Sequence, residues 1–191
     1  GGQRPALLAA AVAEAGGFVD KYIGDAVMAL FSDPADAVLA AKGSVEGVQA
    51  LDLDIGIGAG IHLGQLQLGT VGTTQRMSCT AIGDTVNLAA RIEGLTRVFG
   101  NSVLPSEQTA LAAIRSSCPM GLGTVRGRAE AVVVVEPGSP PDGWNEAFEA
   151  WTDGRFAEAA RGYRGLNDSL AERCERLHAS PPKAWNGVTR M

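Results

Sequence analysis

Asn87 and Arg91 stand four residues apart in DTVNLAARIEGL, so on a helix they share one face about a turn from each other. An amide and a guanidinium would then meet one target. Arg presents a planar fork of donors suited to phosphate oxygens, and an uncharged Asn beside it can orient a ribose or a phosphoryl group. The alternative is a solvent-facing polar stripe with a pairing to Asp84 or Glu93. Asp25 sits in Ile23-Gly24-Asp25, where a tight turn would fix its carboxylate and leave it open to magnesium and its waters. Taken alone it is an ordinary turn aspartate. Lys21 lies earlier in the same otherwise apolar run, where an ammonium needs an acceptor, with a structural salt bridge as the plainer reading.

The elements that must hold these groups can be read from pattern. Arg4 to Ala15 is Ala- and Leu-rich and stops at Gly16-Gly17, a helix with its exit residue. Phe18 to Tyr22 and Ala26 to Phe31 are β-prone runs forming a hairpin with Asp25 at its turn. Ser32-Asp33-Pro34 opens a helix that runs to about Ala50. Leu53 to Leu63 alternates apolar residues with Asp54, Gly56, Gly58, Gly60 and His62, which predicts a strand. Its glycine face admits a helix or a ligand at close range, helix packing being the simpler case. Gln65 to Leu68 reads as a short strand, Gly69 to Gln75 as a Gly/Thr-rich loop, and Met77 to Ile82 as an extended run ending at Gly83-Asp84, where Asp84 can cap the next helix. A brief strand at Ser102 to Leu104, a helix at Glu107 to Arg115 and two strand runs within Thr124 to Val135 complete an α+β unit over residues 1–137. After a Pro/Gly linker at 138–143, residues 144–191 turn to helix formers and aromatics.

With 16 basic against 21 acidic residues and no basic cluster, the chain lacks the face that nucleic-acid phosphates require. Cys79, Cys118 and Cys174 are odd in number and without CxxC spacing, which argues against a disulfide framework or a zinc site and for a reducing, cytoplasmic setting. The longest apolar run, Ala6 to Ala13, is far short of the roughly 20 residues a membrane span needs. A start at Gly1 without Met is expected of a piece cut from something longer.

KYIGDAVMALF, GAGIHLGQLQLGTVG, QRMSCTAIGDTVNLAARIEGL and VRGRAE occur in the order and at the distances of class III nucleotidyl cyclases, and the resemblance spans roughly Ala6 to Val135. It implies a ferredoxin-like cyclase fold working as a head-to-tail homodimer with sites at the interface. It also implies two Mg2+ (or Mn2+) ions, with Asp25 as one of two metal-bridging carboxylates. Asn87 and Arg91 from the other subunit would orient the ribose and stabilise charge at phosphorus, and Arg126, where relatives usually carry Lys, would hold terminal phosphates. Adenine offers an acceptor at N1 and a donor at N6, matching an ammonium at Lys21 and a hydroxyl at Thr80, so ATP is expected over GTP. Counting three residues back from Gly83 gives Thr80, not Cys79, as the base-facing position. The threonine resembles the branch that includes bicarbonate-responsive cyclases.

The same resemblance calls for an earlier strand ending in Asp and followed by Gly-Phe-Thr, and no such segment precedes Arg4 or occurs later. Residues 1–191 alone are therefore expected to be inactive and poorly stable, the alternative to a shortened enzyme being a non-catalytic cyclase-homology module. Trp144 to Trp151 and Arg155 to Leu177 read as a tetratricopeptide-like helical hairpin that must pack on its own domain or on a partner, its own domain being the simpler case. The hairpin and the tail PPKAWNGVTRM resemble the end of bacterial receptor cyclases, which implies membrane attachment only through upstream segments.

Overall fold

Gln3–Glu14 forms helix α1, and the chain leaves it through Gly16, whose φ of 73° lies in the left-handed region that costs glycine nothing. The structure is a computed structural model and describes residues 3–51, 56–73, 76–114, 116–124 and 131–190. Strands β1 (Phe18–Ile23) and β2 (Ala26–Leu30) pair antiparallel around a turn at Gly24-Asp25. Helix α2 (Pro34–Gln49) starts where the Asp33 side chain accepts from the Ala35 N–H, with Pro at the first position, where its missing N–H is not needed.

Strand β3 is confined to Ala59–Ile61, shorter than the alternation predicts, and residues 52–55 of that run lie outside the described residues. It pairs in parallel with β6 (Val103–Pro105). Its glycines serve helix packing: a Cβ on Gly60 would collide with the backbone of Ala89 and Glu93, and one on Gly58 with the Thr96 side chain, all on helix α3 (Asp84–Phe99). The Gly/Thr-rich segment expected as a loop is instead strand. Gln67–Thr73 (β4) pairs residue for residue with Arg76–Ile82 (β5), because backbone pairing along a whole partner strand outweighs the low strand preference of the glycines. Gly83, not Asp84, occupies the N-cap of α3; Asp84 is the first helical residue, where its carboxylate faces the positive end of the helix.

Helix α4 (Glu107–Ala113) is capped by Ser106. Strand β7 begins at Ser117, earlier than its Pro and Gly content suggests, and runs to Thr124 opposite β8 (Ala131–Pro137). The C-terminal region holds α5 (Trp144–Thr152) and α6 (Phe156–Tyr163), then a break at Gly165 and a third helix, α7 (Asp168–Ala179), capped by Asn167. Strand β9 (Val188–Arg190) pairs in parallel with β7.

These helices pack on the preceding unit. Leu88, Ile92, Leu95 and Phe99 of α3 share one buried cluster with Met120 and Val134 of the β7–β8 pair and with Trp144, Trp151, Tyr163, Leu170 and Cys174 of the C-terminal helices. Trp144 donates its indole N–H to the Pro119 carbonyl at 2.9 Å, and Arg173 lies over the Phe99 ring at 5.8 Å. Trp185 anchors the tail by donating to the Trp151 carbonyl at 2.9 Å while meeting the Trp151 and Phe156 rings edge-on. The first half of the chain is looser. Among the described residues β2 pairs only with β1 and β3 only with β6, and between β2 and β3 lies a cavity of about 610 Å³ lined by residues of α1, β2, β3, α2 and α3.

Candidate active site

Lys21 and Thr80 meet. They lie 59 residues apart in sequence, on β1 and β5, and the Lys21 ammonium donates to the Thr80 hydroxyl. The pair rests on a third residue that pattern reading missed. Asp20, with a side chain only 1% exposed, accepts from Thr80 Oγ1 at 3.0 Å and from the Ala81 N–H at 3.2 Å, and its Oδ2 lies 3.3 Å from Lys21 Nζ. The buried carboxylate is thus matched by a cation and two donors, the condition for an ionised group to persist away from water.

Adjacent residues of a regular strand point to opposite faces, so Asp20 and Lys21 should not reach the same hydroxyl. A β-bulge resolves this. Val19 pairs with Ala29 and Lys21 with Met28, which leaves Asp20 as the extra residue in β1. A bulge bends the strand and re-aims a side chain. No sequence signal marks it, since the residues FVDKYI alone are compatible with unbroken alternation.

Asp25 lies at the β1–β2 turn as the pattern predicts, its side chain 74% exposed. Arg4 from α1 reaches it at 2.6 Å, a second contact that sequence reading did not foresee. Both residues line the mouth of the cavity between β2 and β3. A two-cation centre would need further donors: Asp25 brings one carboxylate, already engaged by a guanidinium, and the described residues contain no cluster of three His, Cys, Asp or Glu side chains. Among the described residues the donor set does not complete that centre.

Asn87 is exposed and Arg91 half-buried, one turn apart in the first half of α3. Helix α3 follows β5 through Gly83, whose φ of 150° is open to glycine, so Thr80 and the Asn87–Arg91 pair are carried by one continuous strand–turn–helix unit. Arg126 lies outside the described residues. The segment VRGRAE that contains it joins β7 to β8.

The fold has counterparts among solved structures. A bacterial light-regulated adenylyl cyclase superimposes with a TM-score of 0.62 over 71% of this chain and 43% of that one, at 23% identity. The adenylyl cyclase CyaB from P. aeruginosa matches with a TM-score of 0.59 at 25% identity, over 73% of this chain and 80% of its own. No family model matches the chain. In fold and sequence the chain belongs with the class III nucleotidyl cyclase catalytic domains. Among its sequence relatives is the adenylate cyclase of Anabaena cylindrica, 39% identical over 155 residues that make up 69% of this chain and 30% of that enzyme. The chain spans 30% or less of the length of the first curated relatives it matches. No helix among the described residues is long and apolar enough to cross a membrane.

Proposed function

We propose that this domain serves an adenylate cyclase that converts ATP to 3′,5′-cyclic AMP and pyrophosphate. The observation that carries the reading is the side-by-side placement of the Lys21 ammonium and the Thr80 hydroxyl, a donor and an acceptor of the kinds that N1 and N6 of adenine require. In the reaction the ribose 3′-oxygen bonds to the α-phosphorus, the bond from phosphorus to the pyrophosphate oxygen breaks, and the hydroxyl proton passes to solvent. Asn87 would hold the ribose and Arg91 would meet the charge that builds on the phosphoryl oxygens, while Arg126 would bind terminal phosphates. With a further carboxylate to complete their site, two Mg2+ or Mn2+ ions would supply Lewis-acid chemistry, with Asp25 as one ligand.

A homodimer with sites at its interface fits the exposed apolar face next to the Lys21–Thr80 pair. Phe18 and Leu68 are 63% and 64% exposed, and Tyr22, Ile23 and Ile82 are also uncovered. An ATP-consuming domain with free, buried Cys118 and Cys174 fits the cytoplasmic side of the cell.

A second reading, a non-catalytic cyclase-homology module, is favoured by the Arg4–Asp25 pair, which puts a guanidinium where a cation would bind. The pair is exposed and worth under about 1 kcal/mol, so a divalent ion could displace it. Incubating full-length protein with ATP or GTP and Mg2+ separates the readings. Cyclic AMP formation at least about tenfold above cyclic GMP formation is expected. ATP binding without turnover would favour the second reading, and predominant cyclic GMP would sink the base assignment. Purified residues 1–191 should form no cyclic AMP, and product from them would overturn the one-carboxylate account of the metal site.

A further inference from the structure

Thr80 can serve adenine only if its hydroxyl accepts rather than donates toward the base, and a free threonine hydroxyl does either. We propose that Asp20 is a specificity-determining positioning residue that locks the Thr80 hydroxyl as an acceptor and so sets ATP above GTP. The inference rests on the base-site reading above and adds a residue to it.

Thr80 Oγ1 has one proton and two described polar neighbours. Lys21 is an ammonium with donors only, and Asp20 is a carboxylate with acceptors only. The proton therefore goes to Asp20 Oδ2 at 3.0 Å, one lone pair receives Lys21, and the remaining lone pair is left for a ligand. That lone pair suits the N6–H of adenine and repels the O6 of guanine. Asp20 is held in place from behind, its other oxygen accepting from the Ala81 N–H at 3.2 Å. The β1 bulge puts it there, and its 1% exposure keeps water from competing for the hydroxyl proton.

Asp20→Asn tests this, because the amide has a single acceptor oxygen. With that oxygen serving the Ala81 N–H, the NH2 faces Thr80 and turns the hydroxyl proton outward, toward a guanine O6. The ratio of ATP to GTP, measured in full-length protein both as kcat/KM and as dissociation constants by competition, should fall about tenfold or more. In a Thr80→Val background there is no hydroxyl to orient, and Asp20→Asn should then change the ratio less than about twofold. An equal loss for both nucleotides would mean a merely structural role and overturn the proposal. So would an undiminished effect in the Val background, which would mean that Asp20 acts through Lys21. If Thr80→Val itself leaves the ratio unchanged, the base-site reading fails first. Should Asp20→Asn not fold, judged by its melting curve, the same cycle with Asp20→Ala, which removes the acceptor for the Thr80 proton, is read by the same criteria.

Discussion

Arg91 and Lys21 carry the charges on which the proposed chemistry depends, and they make different predictions. Arg91 is assigned to charge that develops only in the transition state, so Arg91→Ala in full-length protein should lower kcat by about a hundredfold or more while KM for ATP moves little. A rise in KM at unchanged kcat would show instead that Arg91 only binds substrate. Lys21 is assigned to the base, which is the same in ground and transition states. Lys21→Ala should therefore raise KM for ATP chiefly, and it should also loosen β1 against β5, because Asp20 would keep its buried charge without the cation 3.3 Å away. A lowered melting temperature relative to Arg91→Ala checks the second effect.

At the level of elements, the close approach of β3 to α3 fixes where the Asn87–Arg91 helix lies. A Cβ at Gly60 has no room between Ala89 and Glu93, so Gly60→Ala should destabilise by roughly 1–3 kcal/mol and displace α3. Gly43, exposed within α2 with nothing near its would-be Cβ, is the matched control. Gly43→Ala should stabilise by roughly 0.5–1 kcal/mol. Chemical denaturation of both variants reads the two signs, and a neutral Gly60→Ala would refute the packing role. The helices were legible where caps and breakers are local: Asp33-Pro34 before α2, Ser106 before α4, Gly16 after α1. Strands β4 and β7 were partly hidden because glycine and proline lower local β preference, and their stability comes from β5 and β8, partners that propensity does not see.

Across the whole molecule, stability is unevenly spread. The cluster that joins α3, β7, β8 and α5–α7 is continuous, whereas β2 and β3 face each other across a cavity of about 610 Å³. Backbone amides of Val134 and Ala159 should accordingly exchange with solvent far more slowly than those of Ala29 or Gly60. Burial pushes the Cys174 thiol from 9.0 up to about 11, with the Arg173 guanidinium opposing in part. The folded state holds this proton more tightly than the unfolded chain, so its contribution is complete below about pH 9 and is lost as pH rises toward about 11. Melting temperature should fall across that window and fall less in Cys174→Ala; identical slopes would count against the buried neutral thiol. Association belongs to this scale as well. In full-length protein Leu68→Arg, on the exposed face of β4, should convert the proposed dimer to monomer in sedimentation and abolish turnover without unfolding it.

The sequence by itself determined the family resemblance, the α+β class and the positions of Lys21, Asp25, Thr80, Asn87 and Arg91, because hydrophobic period, caps and motif order are properties of neighbouring residues. Only the tertiary structure decided that Asp20 joins Lys21 at Thr80, that Arg4 holds Asp25, and that the C-terminal helices share the core of α3. The bulge that aims Asp20 depends on the register between β1 and β2, and the contacts to Thr80 and Asp25 span 60 and 21 residues of chain. Such contacts are set by how elements pack, which no local pattern of residues specifies.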